Sequence, residues 1–138
     1  MRQFKNLRWA LLSPFLIAIS ALPAKPAGHC DANPVSPWCR AKTIFICSRS
    51  GYMREAELER AILQKPEFVK TGLVITRDMN SADLVLEVRR KAFTSQFTLS
   101  VIDRRAQLLI GSDRSNSIGG HIEPKLANDF IKMLRANR

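Results

Sequence analysis

Two alternating runs set the frame of this chain. In ADLVLEVRR, residues 82–90, Leu84, Leu86 and Val88 fall on one face of an extended strand, and Val85, Glu87 and Arg89 fall on the other. That pattern predicts a half-exposed strand. In FTLSVID, residues 97–103, Phe97, Leu99 and Val101 point inward while Thr98, Ser100 and Ile102 point outward. DRRAQ then turns the chain, and Asp103 suits the first turn position because its carboxylate accepts nearby backbone N–H groups. LLIGSD, residues 108–113, is the returning strand, so 93–113 reads as a β-hairpin. TIFICS, residues 43–48, is apolar at consecutive positions, which predicts a strand buried on both faces or nearly so. GLVIT, residues 72–76, is a further short strand, and RDMNS, residues 77–81, carries turn residues.

Between and after the strands the period changes. From Met53, REAELERAILQK reads as a helix with Ala56, Leu58, Ala61, Ile62 and Leu63 on its apolar side. Glu55, Glu57 and Glu59 crowd its first half, where the helix dipole favours acids, and Pro66 stops or bends it. SNSIGG, residues 115–120, predicts a flexible loop. In HIEPKLANDFIKMLRANR, Ile122, Leu126, Phe130 and Leu134 recur every four residues beside Ala127 and Ile131, a stripe that must lie on a sheet. Pro124 is tolerable only in the first turn, so this helix starts near 121–123, and Lys132, Arg135 and Arg138 suit its C-terminal end. The expected fold is α+β: a two-layer sandwich with a mixed sheet of four or five strands and two helices on one face, in the order β-α-β-β-β-β-α. A right-handed crossover through the first helix allows the first two strands to run parallel.

The N-terminus departs from this pattern. MRQFKNLR is basic, WALLSPFLIAISAL is an uncharged apolar run over 9–22, and LPA offers Ala24 as a cleavage site. A membrane-spanning helix needs ~20 apolar residues, so residues 1–24 read as a secretory signal peptide and not as an anchor. Loss of Arg2, Lys5 and Arg8 leaves 19 basic residues against 12 acidic ones in the expected mature chain. Such an excess favours anionic surfaces. Nucleic acid is disfavoured as a partner: the basic residues are scattered, and the one Tyr and one Trp of the expected mature chain supply no stacking platform. Residues 25–41 form a Pro-rich extension without periodicity, and Trp38 is expected to fold back onto the surface of the single domain over 42–138. Export permits a disulfide. Cys30 with Cys39, across the proline-containing DANPVSPW, is the favoured pair; Cys39 with Cys47 is the competitor. A histidine directly before Cys30 argues against a lipidation site.

One stretch has the look of catalysis. In ICSRSGYMR, residues 46–54, a cysteine ends an apolar run, small residues follow, and Arg54 closes the segment. Tyrosine-phosphatase chemistry uses such a layout but places five residues between thiolate and arginine, and here SRSGYM makes six. The extra residue turns Arg54 away by roughly a hundred degrees of helix. Cys47 is therefore read as a buried strand thiol, and no catalytic residue is assigned. Arg49, Ser50, Gly51 and Arg54 remain a candidate anion-binding turn, because N–H groups at a helix start attract negative charge. Glu55 and Glu57 compete for the same N–H groups. His29 and His121 do not make a metal site, Asp78 and Asp83 read as turn and strand-start residues, and no cofactor is expected.

ADLVLEVRR, FTLSVIDRRAQLLIGS and the closing amphipathic helix together resemble a small α/β domain. It is found in curli-assembly-type envelope lipoproteins and as the amino-terminal domain of the Tol-Pal system's propeller protein. Such domains place Ala-Asp before a strand, here Ala82-Asp83, and then a hairpin turn reading Asp-x-x-Thr-Gly. In this chain that turn matches at Asp103 alone, and Ala106-Gln107 stands where the resembling turns carry Thr-Gly. The resemblance spans about 42–136 and implies this fold, an envelope location, and a role in binding or assembly. The leading expectation is thus an exported, periplasmic or secreted, non-enzymatic binding or adaptor module. Its expected partner is an envelope protein or an anionic surface, and a peptide could add to a sheet edge at 108–113 or at the first hairpin. The alternatives are a small anion- or phosphate-binding protein or enzyme using the SRSG turn, and a basic protein binding nucleic acid or anionic lipid.

Overall fold

Five strands form one mixed sheet in the order β2-β1-β3-β4-β5. The computed structural model describes residues 29–138, so the signal peptide read over 1–24 and the first residues of the extension lie outside the described residues. Strand β1 (Thr43–Ser48) runs parallel to both its neighbours, β2 (Val74–Thr76) and β3 (Leu84–Arg90). Strands β4 (Gln96–Asp103) and β5 (Leu108–Asn116) continue the sheet antiparallel. Helix α3 (Glu55–Leu63), helix α4 (Pro66–Thr71) and helix α5 (Glu123–Asn137) roof one face, giving the expected two-layer sandwich. Pro66 does more than stop a helix: it sits in the first turn of α4, where its missing N–H costs nothing. That short helix carries Phe68 into the core, where its ring lies 6.4 Å from that of Phe130.

The roofed face is built from the inward positions the alternation predicts. Ile44, Ile46, Leu84, Leu86, Val88, Phe97, Leu99 and Val101 are buried, in one cluster with Leu126, Phe130, Ile131 and Leu134 of α5. The opposite face has no helix on it among the described residues, which corrects the expectation for TIFICS. Phe45 and Cys47 are half-buried, covered from the side by neighbouring strands and not by a second layer. Val85 and Glu87 of the central strand β3 are buried on this same open face, although alternation marks them as exposed. Three boundaries also move. Helix α3 begins at Glu55, because Arg54 keeps an extended backbone. Strand β2 is three residues long, since Gly72 ends α4 in the left-handed conformation. Strand β5 absorbs Ser115 and Asn116, where Ser115 Oγ bonds the Asp129 carboxylate on α5.

Residues before β1 are more structured than their composition suggests. Two four-residue helices, α1 (His29–Ala32) and α2 (Pro37–Arg40), are joined by a Cys30–Cys39 disulfide, so Cys47 stays free. They sit against the end of α5: Cys30 N–H donates to Arg138 O at 3.1 Å. Trp38 enters the core instead of resting on the surface. Gly111 on β5 makes room for it, because a Cβ there would lie 2.9 Å from Trp38 Cζ2.

Aspartates fasten this end of the sheet. Asp83 Oδ2 accepts from Lys42 N–H at 2.9 Å and Thr43 N–H at 3.2 Å, and Arg105 donates to Asp83 Oδ1 at 2.9 Å. The Lys42 N–H is the main reason the Asp83 carboxyl is held below its ordinary range. Asp103 Oδ1 accepts from Arg105 N–H and Ala106 N–H, closing the β4–β5 turn as its sequence predicts. Gln107, where the resembling turns have glycine, takes φ 56°. A left-handed residue with a Cβ costs about 1 kcal/mol, so Gln107→Gly is expected to stabilise the fold by about that much in urea denaturation. Because the Asp83 pKa is lower folded than unfolded, its stabilisation is present above the ordinary value of 3.8 and is lost as pH falls through the folded value. Asp83→Asn should therefore lower stability by about 1–3 kcal/mol at neutral pH. The gap to wild type should close in the same denaturation below the ordinary carboxylate pKa.

Candidate functional site

Strands β1, β3 and β5 all end at one edge of the sandwich, and β4 starts there. Three loops, 49–54, 91–95 and 117–122, are thereby set side by side. Specific contacts knit them. The Arg90 guanidinium lies 3.9 Å from the centre of the Tyr52 ring, with the Phe97 ring 5.9 Å away. A cation over an aromatic face is attracted by the ring quadrupole, by ~0.5–1 kcal/mol at such an exposed site. Arg90 Nε donates to Thr94 O at 2.7 Å, which orients the guanidinium. Ser117 N–H donates to Ser95 O at 2.9 Å and ties in the third loop. A cleft of about 210 Å³ opens between them, lined by Tyr52, Arg90, Phe97, His121 and Glu123. A second recess of about 320 Å³ lies on the other side of Tyr52, among Arg49, Ser50, Lys91 and Phe93.

The loop tips are apolar and the ground around them is basic. Tyr52 is 77 % exposed, Ile118 is 93 % exposed, and Phe93 is wholly exposed. Phe93 adopts φ 58°, a conformation that costs a side-chain-bearing residue about 1–2 kcal/mol. Arg49, Arg54, Arg89 and Lys91 are exposed at the same end. The acids there are engaged. Glu87 is buried between Arg49, whose Nε contacts its carboxylate, and Arg89 Nη2 at 3.0 Å. Glu55 Oε1 accepts the Ser48 N–H at 2.6 Å.

The turn singled out in the sequence is largely satisfied from within. Arg49 N–H donates to Val88 O at 2.8 Å, Ser50 N–H to Ser48 Oγ at 3.1 Å, and Tyr52 N–H to Ser50 Oγ at 3.3 Å. Arg49, Ser50 and Gly51 line the second recess together, but Arg54 stands outside it at the start of α3. Cys47 pairs in register with Glu87 on the open face of the sheet. Burial first, then the Glu87 and Glu55 carboxylates, push its thiol above the ordinary cysteine range. Such a thiol is the opposite of an activated nucleophile. Among the described residues no three His, Cys, Asp or Glu side chains gather as metal ligands, and no helix is long and apolar enough to cross a membrane.

Sequence reasoning found Arg49 but missed the Tyr52–Arg90 stack and the exposed Phe93 and Ile118. The available signal was single large apolar residues inside turn segments, KAFTS and SIGG, beside basic or glycine neighbours. Comparison with protein-family models, curated proteins and solved structures finds no match to this chain. The raised Cys47 pKa leads to a direct expectation: iodoacetamide should alkylate Cys47 more slowly than a free cysteine at mildly alkaline pH. Glu87→Gln should speed the reaction, as followed by intact mass.

Proposed function

We propose that the protein is an exported, non-enzymatic binding or adaptor module of the bacterial cell envelope that meets its partner through the 49–54, 91–95 and 117–122 loops. The observation that carries this reading is the gathering of three exposed apolar side chains, Tyr52, Phe93 and Ile118, among Arg49, Arg54, Arg89 and Lys91. Exposed apolar groups rimmed by charge are what contact surfaces present, and here each sits at a loop tip where no core packing requires it. The Cys30–Cys39 disulfide fits an oxidising compartment. The domain resemblance supports an envelope setting and a binding role. A reading as a phosphate-handling enzyme draws less support, because the Ser48, Arg49 and Ser50 N–H groups of the SRSG turn are bonded within the fold, and burial beside Glu87 and Glu55 raises the Cys47 thiol above the ordinary cysteine range.

Two measurements test the proposal. Photo-crosslinking side chains placed at Phe93 and at Lys132, on the far part of α5, should give adducts in native envelope only from Phe93. The purified protein should hydrolyse aryl phosphates no faster than its Cys47→Ser variant. Equal crosslinking from both positions, or turnover that disappears with the thiol, overturns the reading.

A further inference from the structure

We infer that the surface this loop end meets is an anionic phospholipid bilayer, entered by Phe93 and Ile118 and held by the surrounding basic side chains. This rests on the loop end being the contact surface, and adds what it contacts. Phe93 and Ile118 project from separate loops and are almost fully exposed, so they form convex points and not a flat patch. A rigid protein partner needs matching pockets for such points, whereas a fluid bilayer closes around them. Lys91 neighbours Phe93 in the chain, and Arg89, Arg54 and Arg49 lie at the same end. That places cations at headgroup level when the apolar tips reach the acyl boundary.

Charge at this end favours the same assignment. Lys91 and Arg54 are exposed and are not drawn into the Glu87 cluster, which takes Arg49 and Arg89. The acids Glu55 and Glu87 are bonded within the fold, and Glu123 is buried. Phe93 adds an argument from the backbone. Its left-handed conformation is one that glycine would adopt without strain, so the aromatic side chain there works against the fold. Gln107 shares that conformation, but Phe93 combines it with a wholly exposed aromatic ring among basic side chains. Nucleic acid fits less well, because Ile118 has no face on which a base can stack.

The test uses the mature chain, disulfide intact, with vesicles of phosphatidylcholine alone or mixed with phosphatidylglycerol. Binding is expected on the mixed vesicles only, weakening as salt rises. Lys91→Ala should weaken it about fivefold, the effect of one basic residue at an anionic surface. Phe93→Ser combined with Ile118→Ser should weaken it at least as much, while near-ultraviolet circular dichroism of the enclosed Trp38 stays unchanged. A Phe93→Trp variant should be quenched by brominated acyl chains, with Trp38 as an unquenched internal reference. Equal binding to neutral vesicles, binding indifferent to the double substitution, or salt-sensitive retention on DNA without vesicle binding overturns the lipid assignment. Crosslinks from Phe93 to an envelope protein with no vesicle binding overturn it too, yet leave the binding-module reading intact; absence of both removes both.

Discussion

Burial of the α5 stripe against a single sheet face holds the molecule together. Leu126, Phe130 and Leu134 are sealed in one cluster with Leu86, Leu99 and Val101, and each such side chain contributes ~1.5–3 kcal/mol relative to exposure. Other elements take their places from that contact. Leu58 and Ile62 seat α3 in the same cluster, Phe68 brings α4 to Phe130, and Trp38 carries the N-terminal helices to the edge over Gly111. The roof lies on one side only, and the core reaches the loops at the ends of the strands through Met53, Leu73 and Ile122.

The two ends are held by different contacts. At one, Asp83 and Asp103 consume backbone N–H groups, Arg105 closes over Asp83, the disulfide joins α1 to α2, and Cys30 N–H bonds the end of α5. Polar groups there face one another, as in a fastening. At the other end the loops are held by the Arg90–Tyr52 stack, the Arg90–Thr94 bond, the Glu87 ion pairs and a few backbone bonds, and Phe93 and Ile118 point into solvent. A small domain with one thin core has little stability to spare, and the left-handed Phe93 and Gln107 each draw on it.

The strands and the last helix were legible because burial on one face imprints a period, and Leu84, Leu99 and Phe130 obey it. Glu87 and Val85 were not, since a central strand shelters its outward side chains by neighbours that alternation cannot see. Four-residue helices at 29–32 and 37–40 give no period at all, although the cysteine spacing did point to their bridge. In the candidate site, the turn placed Arg49 but could not show its contact with Glu87, which lies on another strand. Tyr52 and Arg90 meet only after β1 and β3 pair, which no local pattern announces.

Strand β1 holds a position with a consequence for how the chain is made. It lies between β2 and β3, and both follow it in sequence. A polypeptide delivered from its N-terminus therefore presents its first strand long before either flanking strand exists. The β1–β2 ladder is three residue pairs long, so the sheet cannot close until Arg90 has emerged. The contacts of short sequence separation lie instead in the trailing half, where β3, β4 and β5 meet through short connections.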